Sequence, residues 1–82
     1  LEELISSARC KVVGAKQTLK AIEKGEALHV FVAEDAEAKV VKPLLAVCET
    51  NGIEPHYIET MQKLGKMCGI KVKAAVAAIT EE

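Results

Sequence analysis

The 82-residue chain contains no tryptophan, one phenylalanine (Phe31) and one tyrosine (Tyr57). Two aromatics are too few for the row of stacking platforms on which single-strand binders hold successive bases. The core must therefore be built from valine, isoleucine, leucine and alanine. Long apolar runs are also missing. The longest, residues 74–79, falls far short of the roughly 20 residues that a bilayer crossing needs. No charged-then-apolar signal segment opens the stretch, which predicts a cytoplasmic location. The three cysteines, Cys10, Cys48 and Cys68, are odd in number and lie far apart. That argues against a disulfide framework and predicts reduced core thiols. No repeat, low-complexity tract or linker interrupts the chain. Its length suits one domain, burying about 60–65% of its unfolded surface.

Charge is present in quantity but is segregated. The formal net charge of −1 conceals a basic segment at residues 9–24, where Arg9, Lys11, Lys16, Lys20 and Lys24 face only Glu23. A second lies at residues 61–73, with Lys63, Lys66, Lys71 and Lys73 and no acid. The middle is acidic, carrying Glu26, Glu34, Asp35, Glu37, Glu49, Glu54 and Glu59 against Lys39 and Lys42. If the two basic segments meet in space, they form the positive surface of a phosphate-binding protein.

Periodicity predicts the elements. Leu1, Leu4, Ile5 and Ala8 recur at helical spacing over residues 2–9, with Glu2 and Glu3 in the first turn. Residues 11–14 read as a short strand leading into a basic helix that ends at Gly25. Residues 28–33 form a nearly continuous apolar strand, the pattern of burial on both faces. A second amphipathic helix follows Glu34, Asp35 and Glu37, with Pro43 dividing a short first turn from the main body and Asn51-Gly52 ending it. Residues 55–58 read as a strand, Thr60 as the cap of a helix through Met67, and residues 74–80 as the last strand. This alternation predicts an α/β fold, a three-layer α/β/α sandwich with a mixed four-stranded sheet.

On the basic helix, Lys16, Gln17, Lys20 and Lys24 share an arc of about 100°, with Ala15, Leu19 and Ile22 opposite as the core side. Such a face is ordinarily only solvated surface; the concentration of positive charge is what singles it out. Gly14 leaves the helix N-terminus bare, so that backbone amides can approach an acceptor closely. Residues 69–72, Gly69-Ile70-Lys71-Val72, connect the last helix to the last strand. Exposed apolar residues beside a lysine can hold a base as well as a phosphate, although Ile70 and Val72 can equally begin the strand. Catalytic groupings are thin. Glu34 and Asp35 are adjacent at a strand end and so point in different directions, His29 and His56 sit in apolar strand contexts, and no Cys/His spacing marks a zinc site.

Taken together, residues 14–25 (Gly-Ala-Lys-Gln-Thr-Leu-Lys-Ala-Ile-Glu-Lys-Gly), 33–37 (Ala-Glu-Asp-Ala-Glu), 43–48 (Pro-Leu-Leu-Ala-Val-Cys) and 64–70 (Leu-Gly-Lys-Met-Cys-Gly-Ile) resemble the kink-turn-binding ribosomal protein family of the L7Ae and L30e type, in its small bacterial branch. The resemblance runs over most of the chain with its segments in order. It implies a non-catalytic domain without cofactor or metal. The implied partner is structured RNA containing a kink-turn, a duplex sharply bent at a bulge flanked by tandem sheared G·A pairs. DNA and membranes are not implied partners, and the working form is a monomer or a ribonucleoprotein component. The family opens its recognition helix with Gly-x-Asn-Glu-x-x-Lys. Gly14 and Lys20 match that motif, whereas Lys16 and Gln17 replace the Asn and Glu. Lysine donates to guanine O6 and N7, and the glutamine amide both donates and accepts. The resemblance further assigns the cradle of the extruded bulge base to the loop of Gly69, Ile70, Lys71 and Val72, with Glu37 and Val41 at other pocket positions. Met61 stands where some relatives carry a lysine. Glu37 has a second reading, as a first-turn acid complementing its own helix. The competing class is a protein-interaction scaffold of a ribonucleoprotein or translation complex, distinguished from RNA binding by insensitivity to salt.

Overall fold

Val30, Phe31, Val32 and Ala33 are each no more than 1% exposed, which a strand achieves only when both its faces are covered. The computed structural model, which describes residues 2–81, supplies that cover. In chain order the elements are α1 (Glu2–Ser7), β1 (Cys10–Val13), α2 (Ala15–Glu23), β2 (His29–Ala33), α3 (Ala38–Thr50), β3 (His56–Ile58), α4 (Met61–Met67) and β4 (Val76–Glu81). The sheet order is β1-β4-β2-β3. β4 runs antiparallel to both β1 and β2, and β3 pairs parallel with β2.

Strand alternation divides the core in two. Val30, Val32, Val76 and Ala78 turn toward α2 and α3, where they pack with Ile22, Val41, Leu44 and Cys48. Phe31, Ala33, Ala77 and Ile79 turn the other way, onto Ile5 of α1 and Leu64, Met67 and Cys68 of α4. The result is the three-layer sandwich with a mixed four-stranded sheet. The small residues of β4 let helices approach both faces closely, and the one phenylalanine is fully buried at 0%.

Several details differ from the sequence expectation. α3 runs unbroken through Pro43. The amide that proline lacks would have served the Lys39 carbonyl, and both residues are exposed, so solvent takes over that role. The inward face of α2 is Thr18, Ala21 and Ile22, with Leu19 half-buried and Ala15 exposed. It is thus rotated from the Ala15-Leu19-Ile22 face by about 70° about the helix axis. A fully buried threonine sits at its centre, and the Thr18 hydroxyl has no hydrogen-bond partner among the described residues. Cys48 and Cys68 are buried thiols, as expected, but Cys10 is exposed. It begins edge strand β1 opposite Glu81, where the register shifts and no helix covers it.

Candidate functional site

Because β1, β2 and β3 all run antiparallel to β4 or parallel to one another, their carboxyl ends emerge at one edge of the sheet, where β4 begins. Open α/β sheets bind their ligands beyond such carboxyl ends. Backbone hydrogen bonds join this edge crosswise: Gly14 N–H donates to Val76 O (3.0 Å), Ala33 N–H to Ala75 O (2.8 Å) and Glu34 N–H to Ile58 O (2.7 Å). The Asp35 carboxylate accepts from the Met61 amide at 2.8 Å, tying the β2–α3 turn to the start of α4. Glu34 and Asp35 therefore serve a turn beyond the strand.

Gly14 is the N-cap of α2 with φ +103° and ψ 152°, a left-handed-side conformation that glycine alone adopts without strain. Its own amide is engaged by Val76. The amides of Ala15, Lys16 and Gln17 lack intrahelical acceptors by helix geometry, and Gly14 brings no capping side chain. An uncapped helix N-terminus with Lys16 and Gln17 exposed on its first turn is therefore directed outward. This arrangement favours a ligand with acceptor atoms and negative charge. Lys20 lies one turn further along the same exposed side. It lines a groove of about 550 Å³ with Gln17, Lys24 and the edge of β1.

Glu37 is the N-cap of α3 and is exposed. Its carboxylate stands 3.4 Å from Lys39 in a solvated ion pair, the kind that contributes little to stability. Val41, one turn on, is only 9% exposed and belongs to the core beneath α3. The connection from α4 to β4 climbs back along α4: Ile70 N–H bonds to Gly65 O (3.1 Å) and Ala74 N–H to Met61 O (3.0 Å). Gly69 and Ile70 consequently sit toward the lower end of α4, with Ile70 packed on the core. Lys71 and Val72 are exposed, Val72 by 69%. Gly65 makes this path possible, because a Cβ there would collide with the Val72 carbonyl oxygen.

The two basic segments meet only in part. α2 and α4 cover opposite faces of the sheet, so Lys20 and Lys24 share no face with Lys63 and Lys66. The common edge brings together the first turn of α2, the start of α3 and the chain leading into β4. Lys39 and Lys42, assigned by the sequence to the acidic middle, lie on the first turns of α3 and add to the positive side chains at this edge. Tyr57, whose part in the site the sequence did not signal, is 53% exposed on β3. Burial pushes the Cys48 thiol pKa up. It does the same for Cys68, with Lys11 pulling partly back. Neither thiol is placed to act as a nucleophile. Among the described residues no cluster of three metal-ligating side chains occurs.

Residues 3–82 match the sequence model of the ribosomal protein L7Ae/L30e/S12e/Gadd45 family. The chain belongs to that family. It is 54% identical over 68 residues to an RNA-binding protein of Caldanaerobacter subterraneus subsp. tengcongensis, covering 83% of each. Identity to an RNA-binding protein of Halalkalibacterium halodurans is 47% over 77 residues, 94% of each. Among solved structures, the Giardia lamblia 15.5kD RNA binding protein superposes with a TM-score of 0.84 at 30% identity, covering 99% of this chain and 68% of that one. A protein with unknown function from Bacillus halodurans superposes equally well, at 26% identity and covering 98% and 80%.

Proposed function

We propose that this protein binds RNA without catalysing a reaction on it, and that its target is the kink-turn. The observation that carries the reading is the uncapped N-terminus of α2 at the carboxyl edge of the sheet, with Lys16 and Gln17 exposed on its first turn. The RNA-binding relatives make RNA the ligand class of choice for such a surface. Lys16 donates to the O6 and N7 of a guanine in the G·A pairs, and Gln17 presents an amide to the neighbouring base edge. Lys20 and Lys71 neutralise phosphates, while Glu37, Val41 and the exposed Val72 on the chain leading into β4 enclose the extruded base.

The action is architectural. A kink-turn exchanges between extended and bent forms, and a protein that fits only the bent form shifts the population by its differential affinity. A gel-shift titration comparing a consensus kink-turn with the same RNA lacking its G·A pairs tests the reading. At least tenfold tighter binding to the intact motif is expected; equal binding to the two would reduce the protein to a nonspecific duplex binder.

A further inference from the structure

β3 is the edge strand beside β2, and its alternation sends His56 toward the α1/α4 face with Phe31, whose ring stacks on it at 5.2 Å between centroids. Tyr57, paired with Val32, points to the opposite face. There α3 packs against α2 and stops short of β3. A slot of about 420 Å³ remains, floored by Val32 and walled by Val41 and Leu45 of α3 on one side and by Tyr57 on the other. Lys42 and Glu34 stand at its mouth. The volume falls in the lower part of the small-ligand range of about 300–1,000 Å³.

We propose that this slot is a nucleotide subsite that takes an unpaired base bearing an exocyclic amino group, stacked on Tyr57. The inference rests on the RNA-binding reading above and extends it beyond the extruded-base cradle. Three observations carry it. The slot offers one exposed aromatic face over an apolar floor, which suits a planar ring. At the mouth, the Lys42 ammonium meets the negative phosphate of a nucleotide, and the exposed Glu34 carboxylate accepts from an amino group and turns away a carbonyl edge. The slot is also continuous with the proposed interface. Val41 belongs to both, and Glu34 lies in the turn that ties β2 to the start of α4.

The test uses a consensus kink-turn RNA with 2-aminopurine, which keeps an exocyclic amino group, placed in turn at each unpaired position. Wild type, Tyr57→Ala and Tyr57→Phe are compared, with thermal melts to confirm that each is folded. Tyr57→Ala is expected to weaken binding by about 5- to 150-fold, and Tyr57→Phe to restore it. At one label position, fluorescence should fall with wild type and with Tyr57→Phe but not with Tyr57→Ala. If wild type distinguishes the G·A pairs yet Tyr57→Ala binds as tightly and no label responds differently, the subsite is overturned while the RNA-binding reading stands. That result would leave the slot to a protein segment. If wild type makes no distinction between the intact and G·A-deficient RNAs, the RNA reading fails and takes the subsite with it.

Discussion

Lys16 and Gln17, the proposed base readers, bear almost no structure, since both project from the first turn of α2 while Thr18, Ala21 and Ile22 hold the helix to the sheet. Lys16→Ala and Gln17→Ala should each weaken kink-turn binding by about 1–3 kcal/mol, read by calorimetric titration, with the melting temperature unchanged. Retained affinity in both variants would remove the first turn of α2 from the interface. The cysteines divide in the same way. Cys10 is open to solvent, whereas Cys48 and Cys68 are buried, and burial raises the pKa of both buried thiols. In the unfolded chain these thiols ionise near pH 8.5, while in the fold they hold their protons. Their contribution to stability is therefore complete below that pH and is lost as pH rises through the raised folded values. Urea denaturation should show stability falling above about pH 8.5 in wild type and falling less in a Cys48→Ala, Cys68→Ala double variant. A thiol reagent at neutral pH should label one cysteine per folded chain and three per unfolded chain.

The elements were legible where the pattern is periodic and the signal local. The apolar run ending at Ala33, the Thr60 cap whose hydroxyl accepts from Lys63 N–H at 3.0 Å, and the Asn51-Gly52 stop were all readable in the chain. Three features were not. The inward rotation of α2 depends on what lies beneath Thr18, which no sequence window contains. The exposure of Cys10 follows from β1 being an edge strand, a property of sheet order. Tyr57 falls within the short strand the sequence predicts, and only the failure of α3 to cover β3 makes it a wall of a slot. The site was legible as a set of segments, but their assembly at the carboxyl edge of the sheet is topological. Gly65 links an element to that assembly. Replacing it with alanine gains about 1 kcal/mol of helix propensity, yet the new Cβ collides with the Val72 carbonyl oxygen, an atom of the backbone rather than of a flexible side chain. Gly65→Ala should lower stability by a net of up to about 2 kcal/mol and loosen the 69–73 loop. Equilibrium unfolding, together with amide exchange at residues 70–74, measures both effects, and a stabilised variant would show that the loop does not need its close approach to α4.

At the scale of the whole molecule, charges of both signs are mixed at the carboxyl edge of the sheet: Lys16, Lys39 and Lys42 stand there with the exposed Glu34, Asp35, Glu37 and Glu59. With a net charge near zero, the proposed RNA surface depends on where individual lysines stand rather than on a positive end of the molecule. The proposed role needs a fixed surface: a sheet covered on both faces holds the α2 terminus, the α3 start and the loop into β4 together, as selection of one RNA shape would require. The most direct measurement is the distance between the two arms of a kink-turn RNA labelled with a fluorescence donor and acceptor at its helix ends, followed as protein is added at low magnesium. Energy transfer should rise to the level of the bent form and saturate at one protein per RNA, with no rise for RNA lacking the G·A pairs. Binding that leaves the arm-to-arm distance unchanged would contradict the account.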